Sequence, residues 1–87
     1  MNKIIAVIKP FDAQQFVGVF NEQGERICLY NIPLERLQDM IPEYADAYGV
    51  TEVDIAGPAK FTAKVKEEVE QYVATKFSER KLTVNLI

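Results

Sequence analysis

A chain of 87 residues has room for one hydrophobic core, and a 48% apolar content can fill it, so we expect a single domain over residues 1–87. Residues 12–54 contain nine acids and two bases, and this acidic middle argues against a general phosphate-binding surface, because Lys and Arg supply most of the affinity for nucleic acid. The single cysteine, Cys28, excludes an intramolecular disulfide and favours a reducing compartment.

The longest apolar run of the sequence, Ile4–Ile8, has only five residues. Such a run is too short for a signal peptide or a membrane span. We therefore expect a soluble, cytoplasmic protein without a membrane partner.

Three strands are predicted in the first third of the chain. Ile4–Ile8 is apolar without alternation, which is typical of a strand in the middle of a sheet. Gln15–Phe20 is rich in aromatic and β-branched residues, and a turn containing Gly24 leads from it to a third strand over Arg26–Asn31. The two faces of this third strand carry Ile27 and Leu29 on one side and Cys28 and Tyr30 on the other.

A first helical region follows the third strand. Pro33 suits its first turn, and apolar residues at spacings of three and four then predict one helical face. That face comprises Leu34, Leu37, Ile41, Tyr44 and Tyr48. Pro42 predicts a kink or two segments, the longer of which begins near Asp39, and Gly49 predicts the end of the helix.

The remaining residues predict a strand, a helix and a final strand. Val50–Ala56 is the fourth strand, and Gly57-Pro58 is a turn into the second helix. The apolar face of that helix comprises Phe61, Val65, Val69, Tyr72, Val73 and Phe77. Leu82–Ile87 alternates apolar and polar residues and is the fifth strand.

The predicted order β-β-β-α-β-α-β defines an α/β fold. Three meandering antiparallel strands are followed by two right-handed crossovers, which place strands four and five parallel to strand one in a sheet of order 3-2-1-4-5 with both helices on one face. This arrangement resembles the ribonuclease H-like fold, which includes ribonucleases, Holliday-junction resolvases and transposase domains. The resemblance spans nearly the whole chain in topology and rests in sequence on Ile4–Phe20 and Val53–Pro58.

The resemblance also indicates where catalytic residues ought to lie. In catalytic members, an aspartate near the end of strand one and an acid near the end of strand four hold divalent metal. The segments IAVIKP and VDIAGP place Lys9 and Ala56 at these positions, and neither side chain can ligate Mg²⁺. The family's further acid lies on a later helix, for which the sequence up to Ile87 has no counterpart. The resemblance therefore implies a degenerate member without metal or cofactor.

A lone domain of this kind looks like the small accessory proteins of bacteriophages and other mobile elements. A virion-associated location is then the alternative to the cytoplasm.

Two alternative sites use charged residues. A register shift would bring Asp54 towards the metal position, where Asp54 and Asp12 would support a metal-dependent nuclease. Alternatively, Lys9, Gly57 and Lys60 could form a small anion pocket beside the amide end of the second helix, where the strand order reverses.

The main functional hypothesis concerns the side of the sheet that the two helices leave uncovered. Phe16 and Phe20, or alternatively Val17 and Val19, would be exposed there beside one set of third-strand residues. The set that we expect at an interface is Phe16, Phe20, Cys28 and Tyr30. An apolar patch of this kind is uncommon on a monomer and usually marks an interface. We therefore expect a non-catalytic protein-binding or assembly module that uses this face, or the edge strand Arg26–Asn31, to bind itself or another protein. Stacking of nucleic-acid bases on the sheet aromatics is a weaker alternative, because the strands carry few basic residues.

Overall fold

The computed structural model describes residues 3–11, 14–28, 32–76 and 81–87. The elements in chain order are β1 (Lys3–Phe11), β2 (Gln14–Asn21), β3 (Ile32–Pro33), a 3-10 helix (Leu34–Arg36), α1 (Leu37–Tyr48), β4 (Glu52–Ala56), α2 (Ala59–Lys76) and β5 (Thr83–Leu86). Within these ranges, no helix has the length and apolar character needed to cross a membrane.

The strands form one five-stranded mixed sheet of order β3-β2-β1-β4-β5. β1 pairs antiparallel with β2 and parallel with β4, and β4 pairs parallel with β5. The predicted α/β class, strand order and two-helix content are therefore confirmed. Parallel neighbouring strands must be joined by long crossover connections, and α1 and α2 lie in these connections.

The predicted third strand, Arg26–Asn31, is wrong in its bounds. β3 is Ile32–Pro33, and within residues 22–28 Arg26 makes an isolated bridge with Phe20 while the Ile27 N–H bonds to the Val19 carbonyl. The side chain of Asn21 explains part of the difference, because its Oδ1 accepts hydrogen bonds from the backbone N–H groups of Gln23 and Glu25 and holds a turn there. Cys28 then lies in the core instead of continuing the ladder, and residues 29–31 lie outside the described residues.

The first helical region consists of a 3-10 helix followed by α1, and Pro42 does not form the boundary between them. The α-helix begins at Leu37 rather than near Asp39, and Pro42 lies inside it, buried, without ending it. Gly49 ends α1 in the left-handed conformation (φ 68°), as predicted. Its N–H bonds to the Asp46 carbonyl, and the N–H of buried Val50 bonds to the Ala45 carbonyl, which satisfies carbonyls at the helix end.

The core lies between the two helices and one face of the sheet. Both helices contact β4 and also each other, so they lie on the same side. β1 contributes Ile4, Ala6 and Ile8, which are at most 3% exposed. In α2, Val65 and Val69 are buried as their spacing predicted, and Thr62 is buried with them. The alternate residues of β1 consequently point to the other side of the sheet.

Candidate functional site

The side of the sheet opposite the helices is called the open face here. It carries Lys3, Ile5, Val7 and Lys9 of β1, because these alternate with the buried residues of that strand. Strand register adds the residues that pair with them or alternate with them on β2, β4 and β5. These are Phe16, Gly18, Phe20, Glu52, Asp54, Ala56, Thr83 and Asn85. In the described part of the chain, neither helix covers this face.

An apolar strip runs along β1 and β2 on the open face. It consists of Ile5, Val7, Phe16 and Phe20, all of which are half-buried. The Phe20 ring lies over Gly18, where an added Cβ would meet a ring carbon at 2.9 Å. The Arg26 guanidinium lies over the same ring, 5.2 Å from its centroid. The residues of the strip are therefore closely packed, and the missing side chain of Gly18 leaves space for the Phe20 ring.

A polar cluster lies beside the strip on β4 and β5. The Lys3 Nζ is 2.6 Å from Asp54 Oδ2. Asn85 Nδ2 donates hydrogen bonds to Asp54 Oδ1 at 3.1 Å and to Glu52 Oε2 at 2.8 Å. Asp54 is only 5% exposed, so each of its carboxylate oxygens has a partner within the protein.

The charges of this cluster stabilise one another. Burial raises the pKa of Asp54, but hydrogen bonds from Lys3 and Asn85 and the positive charge of Lys3 outweigh burial and hold that pKa below its usual value. The hydrogen bond and the negative charge of Asp54 in turn raise the pKa of Lys3. Both groups are therefore ionised at neutral pH, as an ion pair.

The nuclease alternative places Asp54 in a metal site. The structure engages both oxygens of Asp54 with Lys3 and Asn85, and Asp12 lies outside the described residues. Among the residues that the structure does describe, no group of three or more His, Cys, Asp and Glu side chains could hold a metal ion. A metal at Asp54 would have to displace an ammonium group.

The two positions singled out by the ribonuclease H-like resemblance lie close together. Ala56 pairs with Val7 across β4 and β1, and Lys9 follows Val7 on the same face. Lys9 is exposed and Ala56 is half-buried. An ammonium group and a methyl group therefore occupy the end of the open face where β1 and β4 run side by side.

The hypothetical anion pocket would combine Lys9, Gly57 and Lys60. Lys9 projects from the open face, whereas Lys60 lies in the helical layer with its Nζ 5.0 Å from the Phe61 ring centroid. The two lysines are thus on opposite sides of the sheet. Gly57 has a φ of 149°, and a Cβ there would lie 2.8 Å from the Ile8 Cβ, so a close approach of backbone to β1 accounts for this glycine. The anion pocket stays a hypothesis, and the structure does not bring its two lysines to one place.

The predicted interface residues divide between two environments. Phe16 and Phe20 lie on the open face, whereas Cys28 is 4% exposed and belongs to the core. The Tyr44 hydroxyl of α1 donates a hydrogen bond to Cys28 Sγ at 3.0 Å, and this bond, with burial, raises the pKa of Tyr44 to about 12. Cys28 was assigned to the open face on the assumption that a regular strand continued past Arg26. Tyr30 lies outside the described residues.

A groove that the sequence did not predict lies between α2 and the segment formed by the 3-10 helix and the start of α1. It has a volume of about 510 Å³, and Leu34, Phe61 and Val65 are among its lining residues. Lys64 and Glu68 form an ion pair at 4.0 Å along its rim. The only signal in the sequence was that Leu34 and Phe61 lie at the margins of their helical faces.

Comparison of the chain with family models, curated proteins and solved structures found no match. The fold and the geometry of the open face are therefore the basis for a functional conclusion.

Proposed function

We propose that this chain is a minimal ribonuclease H-like domain that acts as a non-catalytic binding or assembly module through its open face, with self-association as the first form to test. The observation that carries the proposal is the apolar strip of Ile5, Val7, Phe16 and Phe20 on a side of the sheet without a helix in the described residues. A contiguous apolar surface of this kind is typical of interfaces.

The arrangement of polarity on the open face supports this proposal. Interfaces commonly have an apolar centre that includes aromatic residues, and a polar rim. Here the strip on β1 and β2 is bordered by Arg26 on one side and by the cluster around Asp54 on the other. The ion pair of Lys3 with Asp54 is already satisfied internally, so a partner can pack beside it without leaving a buried charge unpaired.

The absence of catalysis is supported by the residues at the family's metal positions. Lys9 repels a divalent cation, and Ala56 offers no ligand. The relationship to the ribonuclease H-like family is supported by the sheet of order 3-2-1-4-5 with its two helices.

Two variants test the open face. Phe20→Ser removes an aromatic ring from the strip, and Val7→Thr replaces one methyl group of a half-buried residue by a hydroxyl while keeping its shape and strand propensity. Sedimentation equilibrium at protein concentrations up to about a hundred micromolar should show self-association of the wild type. Either variant should raise the dissociation constant by about tenfold, which corresponds to roughly 1.4 kcal/mol. Tyr48→Ser is the matched control, because it removes a ring that is 42% exposed but lies on α1.

Two results would contradict the proposal. One is a wild-type chain that stays monomeric and binds no protein in a manner that depends on Phe20 or Val7. The other is Mn²⁺-dependent cleavage of a mixed panel of DNA and RNA that Asp54→Asn abolishes, which would establish the nuclease alternative instead.

A further inference from the structure

A second surface lies at the outer edge of β5. The Thr83 N–H bonds to the Thr51 carbonyl at 2.8 Å, and the Ile87 N–H bonds to the Ile55 carbonyl at 3.0 Å. Backbone groups alternate in direction along a strand, so the N–H and C=O groups of Val84 and Leu86 point away from β4. In the described ranges, no strand pairs with β5 on that outer side.

Apart from its length of four residues, β5 lacks the features that usually prevent edge strands from pairing. Protected edges are short or carry charges, prolines or bulges. The opposite edge of the sheet carries one such feature, because β3 includes Pro33. Residues 82–87, in contrast, contain no charged side chain, no proline and no glycine. Leu86 is 44% exposed, so the unprotected edge also displays apolar surface.

We propose that β5 pairs antiparallel with β5 of a second copy, so that two five-stranded sheets join into one continuous sheet. A two-fold axis at Val84 brings each Val84 opposite its symmetry mate and each Leu82 opposite Leu86 of the second copy. Since Val84 and Leu86 both direct N–H and C=O outwards, this register places hydrogen-bonding groups opposite one another.

The side chains in this register favour a second copy over an unrelated peptide. Thr83 lies opposite Asn85 of the second copy, on the open-face side. Asn85 Nδ2 already donates to Glu52 and Asp54, which leaves Asn85 Oδ1 to accept a hydrogen bond from the Thr83 hydroxyl. Leu82, Val84 and Leu86 alternate with these polar residues and extend the apolar side of the sheet across the seam.

The helix α2 supplies a second complementary element. It contacts α1 on one side and β4 and β5 below, so its remaining side faces the proposed seam. Groove-lining Phe61, Lys64 and Glu68 mark the side towards α1, and a spacing of 100° per residue then places Lys66 and Glu70 on the side towards the seam. Antiparallel β5 strands bring two α2 helices together antiparallel, so Lys66 of each copy can pair with Glu70 of the other.

Edge pairing is independent of the proposed function and compatible with it. The open faces of both copies would lie on the same side of the joined sheet, and neither would be covered. A dimer that fails to form through β5 therefore leaves the open-face proposal untouched, and the reverse also holds.

The backbone of Leu86 provides the first test. Leu86→Pro removes an N–H that makes no bond to β4, so the monomer should fold while one hydrogen bond on each side of the seam is lost. Leu86→Val keeps the N–H and is the matched control. In sedimentation equilibrium, with folding monitored by circular dichroism, we expect Leu86→Pro to raise the dimer dissociation constant by about tenfold or more and Leu86→Val by less than about threefold.

Charge reversal provides the second test and does not touch the strand. Lys66→Glu and Glu70→Lys each place like charges across the seam, and each should weaken its own homodimer by about fivefold at low ionic strength. Mixing the two variants should restore dimerisation, because each chain then meets an opposite charge in the other. A change within one helix cannot produce this recovery.

Three results would overturn the β5 dimer. The first is that the Phe20→Ser variant, in which the open face is altered, forms no dimer at all. The second is that Leu86→Pro dimerises as tightly as Leu86→Val. The third is that a mixture of the two charge variants associates no better than either variant alone.

Discussion

Asp54 is the residue whose environment differs most from what its neighbours in sequence suggest. A carboxylate on the uncovered side of a sheet would ordinarily be hydrated, yet Asp54 is buried between Lys3 and Asn85. Breaking such a pair by removing one partner is costly, because it leaves a charge without compensation. Asp54 is thus a structural residue that organises the border of the apolar strip.

The stability of the protein should depend on pH through Asp54. Its pKa is lower in the folded protein than in the unfolded chain, where it is about 3.9. The contribution of ionised Asp54 to the free energy of unfolding is therefore fully present above about pH 4. It is lost as the pH falls through the pKa of Asp54 in the folded protein. Urea unfolding between about pH 7 and pH 2 should show a steeper loss of unfolding free energy for the wild type than for Asp54→Asn.

Glu67→Gln is the control for this pH dependence, because Glu67 is an exposed carboxylate on α2. This variant should keep the wild-type slope. Parallel pH profiles for the wild type and Asp54→Asn would show that the ion pair with Lys3 contributes nothing to folding.

At the scale of elements, the turn between β4 and α2 depends on a close backbone approach. Gly57 adopts a φ of 149°, and a Cβ at this position would lie 2.8 Å from the Ile8 Cβ and 3.2 Å from the Ile8 carbonyl oxygen. The Pro58 carbonyl then accepts hydrogen bonds from the Phe61 and Thr62 N–H groups at the start of α2. The position of α2 over the sheet thus depends on Gly57.

Gly57→Ala should lower the free energy of unfolding by about 1–3 kcal/mol for the backbone conformation alone, and by more because of the clash with β1. Gly24→Ala separates the two effects, since Gly24 has a φ of 84° but an added Cβ there would meet no atom within 4 Å. Chemical denaturation of both variants gives the comparison. Equal losses would mean that β1 yields and that the contact with Ile8 is unimportant.

At the scale of the whole molecule, the two proposals concern different surfaces of the sheet. The open face carries the apolar strip, and the outer edge of β5 carries backbone groups that no strand of the described ranges pairs with. A face interaction stacks two sheets, whereas an edge interaction extends one sheet, so the two do not compete for the same atoms.

This separation predicts how assembly responds when both surfaces are altered. The wild type should form species larger than a dimer at high concentration, because one chain can use both surfaces at once. Phe20→Ser should stop at the β5 dimer, Leu86→Pro should stop at the open-face dimer, and the double variant should remain a monomer. Light scattering after size-exclusion chromatography distinguishes these masses, and a double variant that still assembles would point to a third surface.

Much of the fold could be predicted from the sequence because its signals are local. The apolar run Ile4–Ile8, the glycine at position 49 and the periodicity around Val65 and Val69 each reflect neighbouring residues, and the crossover rule then gives the strand order. The bounds of the third strand could not be placed, because Cys28 packs in the core and accepts a hydrogen bond from Tyr44, which lies 16 residues further along the chain. The turn held by Asn21 is local, since its side chain bonds to backbone groups two and four residues away.

The candidate site was predictable only in outline. Phe16 and Phe20 were expected on the uncovered side, and alternation along the strands places them there. The partners of Asp54 were not expected, since Asn85 is 31 residues away and meets it through the register of β4 and β5. The predicted strand order already placed the fifth strand at an edge, but which of its backbone groups point outwards depends on its register with β4.

The sequence by itself determined the α/β class and the order of the elements, because periodicity carries that information directly. That Lys9 and Ala56 stand where carboxylates would be required is what the resemblance to the ribonuclease H-like fold implies. Only the tertiary structure decided that Cys28 is a core residue, that Asp54 is neutralised by Lys3, and which backbone groups of β5 point outwards. These features depend on strand register and on burial, which arise when distant segments pack together.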